Sequence, residues 1–318
     1  MAFRSSLFAF SASVFVAAVL LWHTAAPAQD PAPINIVTTS CDLASLAKEI
    51  GGEFVRVKTL TRASQNLHGV EATADLLPPL NDADLLIEKG MALENGWLEK
   101  LVRNTSNRQI QAGGAGRLDT SIGISKKLGD LISIEENDEV KGLHPDGNPH
   151  YLLDPRRAVE IADVIREKIT QIRPELEEQL MTRFDNFDEE VRAFRRIQEI
   201  RFRALPPERR RLASYGHTWA YFADWLDLTI QEILEPAPGV SPLVRPKDTI
   251  QQELRNANVN LVLMANYQPR ESIQNVIQMS GASLLPLRVQ PNFLSGESYI
   301  EHMRSLSKVV HERLSSGR

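Results

Sequence analysis

Three histidines lie where a regular element meets a loop, and the imidazole ring is the commonest metal-binding side chain in proteins. The chain has 318 residues and seven histidines, of which His23 lies within the first 28 residues. His68, His150 and His217 each adjoin a turn-forming sequence, and His217 directly follows a predicted strand. Ligands collect outside the carboxyl ends of strands in α/β sheets. The separations of 82 and 67 residues match no local zinc motif, so spacing alone leaves a structural role open for each histidine.

Two further residues near this set have simpler interpretations. His144 belongs to an acidic segment, residues 135–148, whose glycines and proline predict a mobile loop. We interpret His144 as a solvated residue of that loop. Asp154 precedes Pro155 and is predicted to cap a helix, from where its carboxylate could also orient the imidazole of His150.

The composition is that of a folded globular protein, with 42% hydrophobic and 24% charged residues. Its 36 basic and 41 acidic residues give a net charge of −5, which argues against a nucleic-acid-binding protein. Cys41 is the single cysteine, which excludes an internal disulfide and any zinc site built from two cysteines of one chain. We interpret Cys41 as a buried thiol without a chemical role.

The first 28 residues have the three parts of a secretory signal peptide. A short start with one arginine precedes an apolar stretch, residues 7–22, and the small residues Ala26, Pro27 and Ala28 follow. The sequence therefore predicts a cleavable signal peptide over 1–28 and a periplasmic mature chain that begins at Gln29. An uncleaved amino-terminal anchor is the alternative.

Short β-rich runs alternate with helical patterns in both halves of the chain, which predicts parallel sheets with crossover helices. We expect an amino-terminal α/β lobe over 29–172, a linking helix over 173–206 and a carboxyl-terminal α/β lobe over 207–318. The linking helix has no glycine or proline from 175 to 205 and would be roughly 45 Å long. The fold expected is two Rossmann-like lobes joined by one long rigid helix, with a cleft between them. Strands are predicted at 34–37, 54–60, 83–88 and 109–112, and at 211–215, 228–233, 259–265 and 282–287.

Several short motifs occur in a specific order along nearly all of the mature chain. They are Ile36-Val37-Thr38-Thr39-Ser40, Gly51-Gly52, Leu67-His68-Gly69-Val70-Glu71-Ala72-Thr73, Ala92-Leu93-Glu94-Asn95-Gly96-Trp97-Leu98, Asn148-Pro149-His150-Tyr151-Leu152-Leu153-Asp154-Pro155, Tyr215-Gly216-His217-Thr218-Trp219 and Ile233-Leu234-Glu235-Pro236. Together they resemble the periplasmic solute-binding proteins of metal-ion ABC transporters, the group that includes zinc-uptake binding proteins and streptococcal metal-binding adhesins.

The resemblance implies a transport protein and not an enzyme. Such a protein captures a divalent metal ion in the cleft and delivers it to an ABC membrane permease, acting as a monomer without nucleic acid. It also implies that His68 and His150 are metal ligands from the amino-terminal lobe and His217 a ligand from the other lobe. Three imidazole nitrogens suit zinc better than manganese, so Zn²⁺ is the expected cargo and Mn²⁺ the alternative.

The chain departs from the family pattern at the fourth ligand. Arg288 occupies the position where the family usually has an aspartate, and Asn266 replaces a frequent glutamate. A guanidinium cannot coordinate a metal. Water or an anion held by Arg288 could complete a three-histidine zinc site, or a carboxylate or Asn266 could replace the missing ligand. The cargo could instead be a metal chelate or an anion, metal binding could be lost, or an open three-histidine zinc could serve a hydrolase.

Overall fold

Two parallel β-sheets, one before and one after a long helix in sequence, form the framework of the computed structural model. The structure describes residues 32–125, 127–128, 144–236 and 239–316. The chain from Pro33 onward forms one compact unit. The predicted signal peptide, residues 1–28, lies outside the described residues, and so does most of the predicted mobile loop.

The first sheet is parallel throughout and has the strand order β2-β1-β3-β4. Ile36 of the central strand β1 is fully buried and pairs with Val57 on one side and Leu85 on the other. The strands are β1 (Ile34–Thr38), β2 (Val55–Thr59), β3 (Leu85–Glu88) and β4 (Arg117–Asp119), and the helices between them are α1 (Cys41–Gly51), α2 (Leu77–Asn81) and α3 (Leu98–Arg103).

Two long helices follow the first sheet. Helix α4 (Pro155–Ile172) begins at the predicted position. The buried Asp154 carboxylate caps it by accepting a hydrogen bond from the Arg156 amide, and Pro155 occupies the first turn. Helix α5 (Glu177–Arg203) is 27 residues long and spans about 40 Å.

The second sheet repeats the arrangement of the first, with the order β6-β5-β7-β8 and all pairs parallel. All five residues of β7 are buried, as expected for a parallel strand covered on both faces. The strands are β5 (Arg211–Ser214), β6 (Thr229–Ile233), β7 (Leu261–Ala265) and β8 (Ser283–Leu287), and the helices are α6 (Ala220–Leu226), α7 (Lys247–Asn256), α8 (Arg270–Ser280) and α9 (Tyr299–Ser316).

The predicted fold of two α/β lobes and one long helix is confirmed, whereas one predicted strand is wrong. Residues 109–112 form a turn, in which the Gln109 carbonyl accepts a hydrogen bond from the Gly116 amide, and β4 begins only at Arg117. Gly113 has φ +76°, a left-handed backbone that a strand does not use. The lobe boundaries at 172 and 206 stay predictions. None of the helices in the described part of the chain is long and apolar enough to cross a membrane.

Candidate metal site

The three predicted histidines line one cavity, although they are far apart in sequence. His68 lies in a short 3₁₀ turn in the segment after β2, His150 lies just before α4, and His217 follows β5 after two residues. The cavity has a volume of about 280 Å³. Because β2 and β5 belong to different sheets, the two lobes both contribute to its wall.

A fourth histidine lies in the same cavity, which the sequence interpretation missed. His144 is buried, with 6% of its surface exposed, and is not a solvated loop residue. Its Nε2 atom is 2.9 Å from Nε2 of His68, and the two ring centroids are 5.0 Å apart. The His150 ring is 5.7 Å from the His68 ring, centroid to centroid. The amino-terminal lobe therefore supplies three imidazoles to one wall.

The imidazoles of His68 and His144 each have an oxygen partner at Nδ1, the ring nitrogen that does not face the other histidine. His144 Nδ1 is 2.7 Å from the carbonyl oxygen of Met91. His68 Nδ1 is 3.0 Å from Oδ1 of Asn66, and the same oxygen accepts a hydrogen bond from the His68 backbone amide. These contacts fix the orientation of both rings.

The cluster lies in a low-dielectric environment near a buried cation. Burial, together with the nearby His144 and Lys89, lowers the pKa of His68 to about 4. Burial likewise lowers the pKa of His150 well below its usual value. The Lys89 ammonium is buried and pairs with the buried Asp42 carboxylate at 2.7 Å. The lowered pKa values favour the neutral form of His68 and His150, the form in which an imidazole can bind a metal.

The carboxyl-terminal lobe contributes a carboxylate as well as His217. Glu235 lies two residues beyond β6 and lines the cavity. Burial raises the pKa of Glu235 to about 7, and its carboxylate accepts a hydrogen bond from the Gly239 amide. It makes no ion pair with any residue that the structure describes. Sequence reasoning missed this residue, although its position at the end of the strand beside β5 marks the same sheet edge.

The remaining predicted site residues do not line the cavity. The Arg288 guanidinium pairs with the Glu297 carboxylate at 2.9 Å. The backbone amide of Asn266 donates to the Leu287 carbonyl, which continues the pairing of β7 with β8. The Asp154 carboxylate is bound to Arg156 at 2.8 Å.

The side chains are not arranged around a single point. Within the described ranges, no group of three or more His, Cys, Asp or Glu side chains is placed so that it could hold a metal ion. Two tetrahedral zinc ligands with bonds of 2.0–2.1 Å have nitrogens roughly 3.3 Å apart, which is more than the 2.9 Å between His68 and His144. The rings of His68 and His144 must therefore move apart before both can bind one zinc ion.

Comparison with known proteins gives a consistent result. The family described as ZnuA, zinc-uptake complex component A, periplasmic, matches residues 36–312. The zinc-binding lipoprotein AdcA of Streptococcus pneumoniae is 24% identical over 153 residues, 46% of this chain and 28% of that protein. The manganese-binding lipoprotein MntA of Halalkalibacterium halodurans is 23% identical over 196 residues, 62% of this chain and 59% of that protein. The chain thus spans 28% to 59% of the length of these two relatives.

Solved structures agree on the fold. A crystal structure of ZnuA superposes with a TM-score of 0.73 over 88% of this chain and 98% of that chain, at 20% identity. At that level of identity the likeness concerns the fold alone, and the site has to be argued from its own residues.

Proposed function

Since this chain belongs to the family of periplasmic zinc-uptake components A, we propose that it captures a divalent metal ion and delivers it to an ABC permease. His68, His150 and His217 are its metal ligands in this proposal. The observation that carries it is their presence, from two different sheets, on the wall of one cavity. Imidazoles contributed by both lobes let a bound ion hold the lobes together.

Zinc is the proposed cargo. The relatives named above are described as zinc-binding and manganese-binding, so both ions are candidates. Neutral imidazole nitrogens suit zinc, whereas manganese prefers sites rich in carboxylate and water oxygens. Most of the metal-binding side chains that line the cavity are histidines, and Glu235 is the carboxylate among them, which favours zinc.

Delivery to a permease requires that the protein works outside the cytoplasm. The signal-peptide pattern over 1–28 supports this location, as does the family description as periplasmic. Fractionation of cells that express the full chain with a carboxyl-terminal tag tests it. Recovery of the tagged protein in the cytoplasmic fraction would contradict the proposed location.

A zinc hydrolase is the competing function, because Glu235 could serve as a general base beside an open zinc site. The family consists of transport components, which favours capture. Turnover of simple ester substrates by the zinc-loaded protein distinguishes the two. We expect no turnover above that of free zinc ions.

Metal stoichiometry and affinity test the proposal directly. The chain from Gln29 is titrated with zinc and with manganese in competition with a chromophoric chelator, alongside His150→Ala. His311→Ala is the matched control, because His311 lies on α9, packed against Phe202 and away from the cavity. We expect one zinc bound more tightly than manganese, an affinity at least tenfold lower in His150→Ala, and no change in the control. Absence of metal binding by the parent protein would refute the proposed function.

A further inference from the structure

We propose that His144 is a fourth imidazole ligand of the metal ion, so that the site needs no aspartate at the position of Arg288. This inference rests on the proposed function and adds a ligand to the same site. It is carried by the hydrogen-bond partners of His144 and His68, which occupy Nδ1 of both rings and leave their Nε2 atoms facing each other in the cavity.

The protonation of His144 follows from its partner. A carbonyl oxygen only accepts hydrogen bonds, so the 2.7 Å contact between His144 Nδ1 and the Met91 oxygen requires a proton on Nδ1. A neutral imidazole with Nδ1 protonated has its lone pair on Nε2. The Nε2 atom of His144 is therefore an acceptor or a metal ligand.

The same argument applies to His68. The side-chain atom of Asn66 that contacts His68 Nδ1 also accepts the His68 backbone N–H at 3.1 Å, so it is the oxygen and not the nitrogen of the amide. His68 Nδ1 must then donate to that oxygen at 3.0 Å. Its lone pair consequently also lies on Nε2.

Two lone pairs thus face each other across 2.9 Å, an arrangement that is stable only when a cation lies between or beside them. A proton would satisfy this pair alone. A metal ion would also bind His150, whose ring is 5.7 Å from that of His68. Moving the two Nε2 atoms apart by about 0.4 Å gives the spacing of tetrahedral zinc ligands.

The surroundings of His144 have the form that metal-binding histidines use. Such a histidine nearly always donates its second N–H to a carbonyl, carboxylate or water, which fixes the ring. Here the Met91 carbonyl belongs to three consecutive residues with positive φ, namely Gly90 at 75°, Met91 at 51° and Ala92 at 62°. The Glu94 carboxylate, which accepts from the amides of Lys89 and Gly90, holds this strained turn. Backbone strain of this kind is typical of functional sites.

The test uses His144→Ala in the chain from Gln29, with Asp146→Ala as the matched control. Asp146 is exposed in the same segment and does not line the cavity. We expect zinc affinity to fall roughly tenfold or more in His144→Ala and to stay unchanged in the control. Added free imidazole should restore the affinity of His144→Ala, because it can occupy the vacated coordination position.

Cobalt(II) spectra supply a readout that a purely structural role of His144 would not change. The visible bands of the cobalt-loaded parent should shift in His144→Ala and return with imidazole. Thermal unfolding of the metal-free variant checks that it folds. Unchanged zinc affinity and cobalt spectrum in His144→Ala, with binding still weakened by His150→Ala, would overturn the inference and leave the proposed function intact. Absence of metal binding by the parent would instead overturn the proposed function.

Discussion

The side-chain Nδ2 of Asn148 donates a hydrogen bond of 2.8 Å to the backbone carbonyl of His217. The same buried side chain accepts, through Oδ1, a 2.9 Å hydrogen bond from the backbone amide of His150. One amide group therefore joins the backbones of two proposed metal ligands that come from different lobes. The separation of His150 from His217 is set by this amide as well as by any bound metal.

Replacing Asn148 with aspartate should weaken both folding and metal binding. The carboxylate can still accept from the His150 amide, but it has no proton to donate and faces the His217 carbonyl. A buried acceptor left without a donor costs about 1–3 kcal/mol of unfolding free energy. Chemical denaturation of the metal-free protein measures this loss, and chelator competition measures the affinity. Equal stability and equal affinity in Asn148→Asp would show that the amide does not fix the spacing.

Glu235→Gln should lower the affinity for divalent metal about tenfold, which corresponds to about 1.4 kcal/mol. The Glu235 carboxylate lines the cavity and has no cationic partner among the described residues, so a bound dication would be its counter-charge. Glu232→Gln is the control, because Glu232 lies on the same strand, β6, and does not line the cavity. Equal losses in both variants would point to a general effect of net charge.

The sequence was sufficient to predict the fold, and it singled out three histidines that line one cavity, although their role as metal ligands stays a prediction. Parallel sheets follow from the alternation of apolar runs and helices, and the motifs around His68, His150 and His217 place each at the end of an element. Strand β4 was not predictable in this way, because it is three residues long and has the charged Arg117 and Asp119 on both sides of Leu118. Its sequence has no hydrophobic run, and pairing with β3 defines it.

His144 and Glu235 were missed for a different reason. The role of His144 depends on the direction of the Met91 carbonyl, which is set by a left-handed turn that no residue pattern announces. The side chain of Arg288 was also misjudged, because it pairs with the Glu297 carboxylate nine residues later in sequence. Contacts of this kind depend on how loops fold back, whereas the periodic patterns of a sequence report only regular elements.

Glu94→Gln should change how stability depends on pH. Burial raises the pKa of Glu94 to about 7 from an ordinary value of 4.5, so the folded state retains its proton at a higher pH than the unfolded chain. The parent should therefore lose unfolding free energy, relative to Glu94→Gln, as pH rises from 4.5 to about 7, by at most about 3 kcal/mol. Urea unfolding of both proteins across this range measures the difference. Parallel stability curves would contradict the prediction.

Arg288→Asp tests whether restoring the family's aspartate improves the site. The Arg288 guanidinium does not line the cavity, and its partner Glu297 also accepts a 2.6 Å hydrogen bond from the Asn292 amide. The His302 side chain, whose Nδ1 is 3.6 Å from a Glu297 carboxylate oxygen, is the largest cause that lowers the pKa of Glu297 to about 2, and the Asn292 amide and Arg288 lower it further. An aspartate at 288 would face this carboxylate and repel it, so we expect a lower Tm in the metal-free state.

Zinc affinity in Arg288→Asp should stay within about threefold of the parent, because residue 288 does not line the cavity. The loss of a metal ligand would have a larger effect. Arg288→Gln is the control, since it removes the ion pair without adding a negative charge, and a partly exposed pair of this kind contributes about 1 kcal/mol or less. Tighter zinc binding in Arg288→Asp but not in Arg288→Gln would mean that the new carboxylate reaches the metal. That outcome would mean that the parent protein has an incomplete set of metal ligands and that His144 does not complete it.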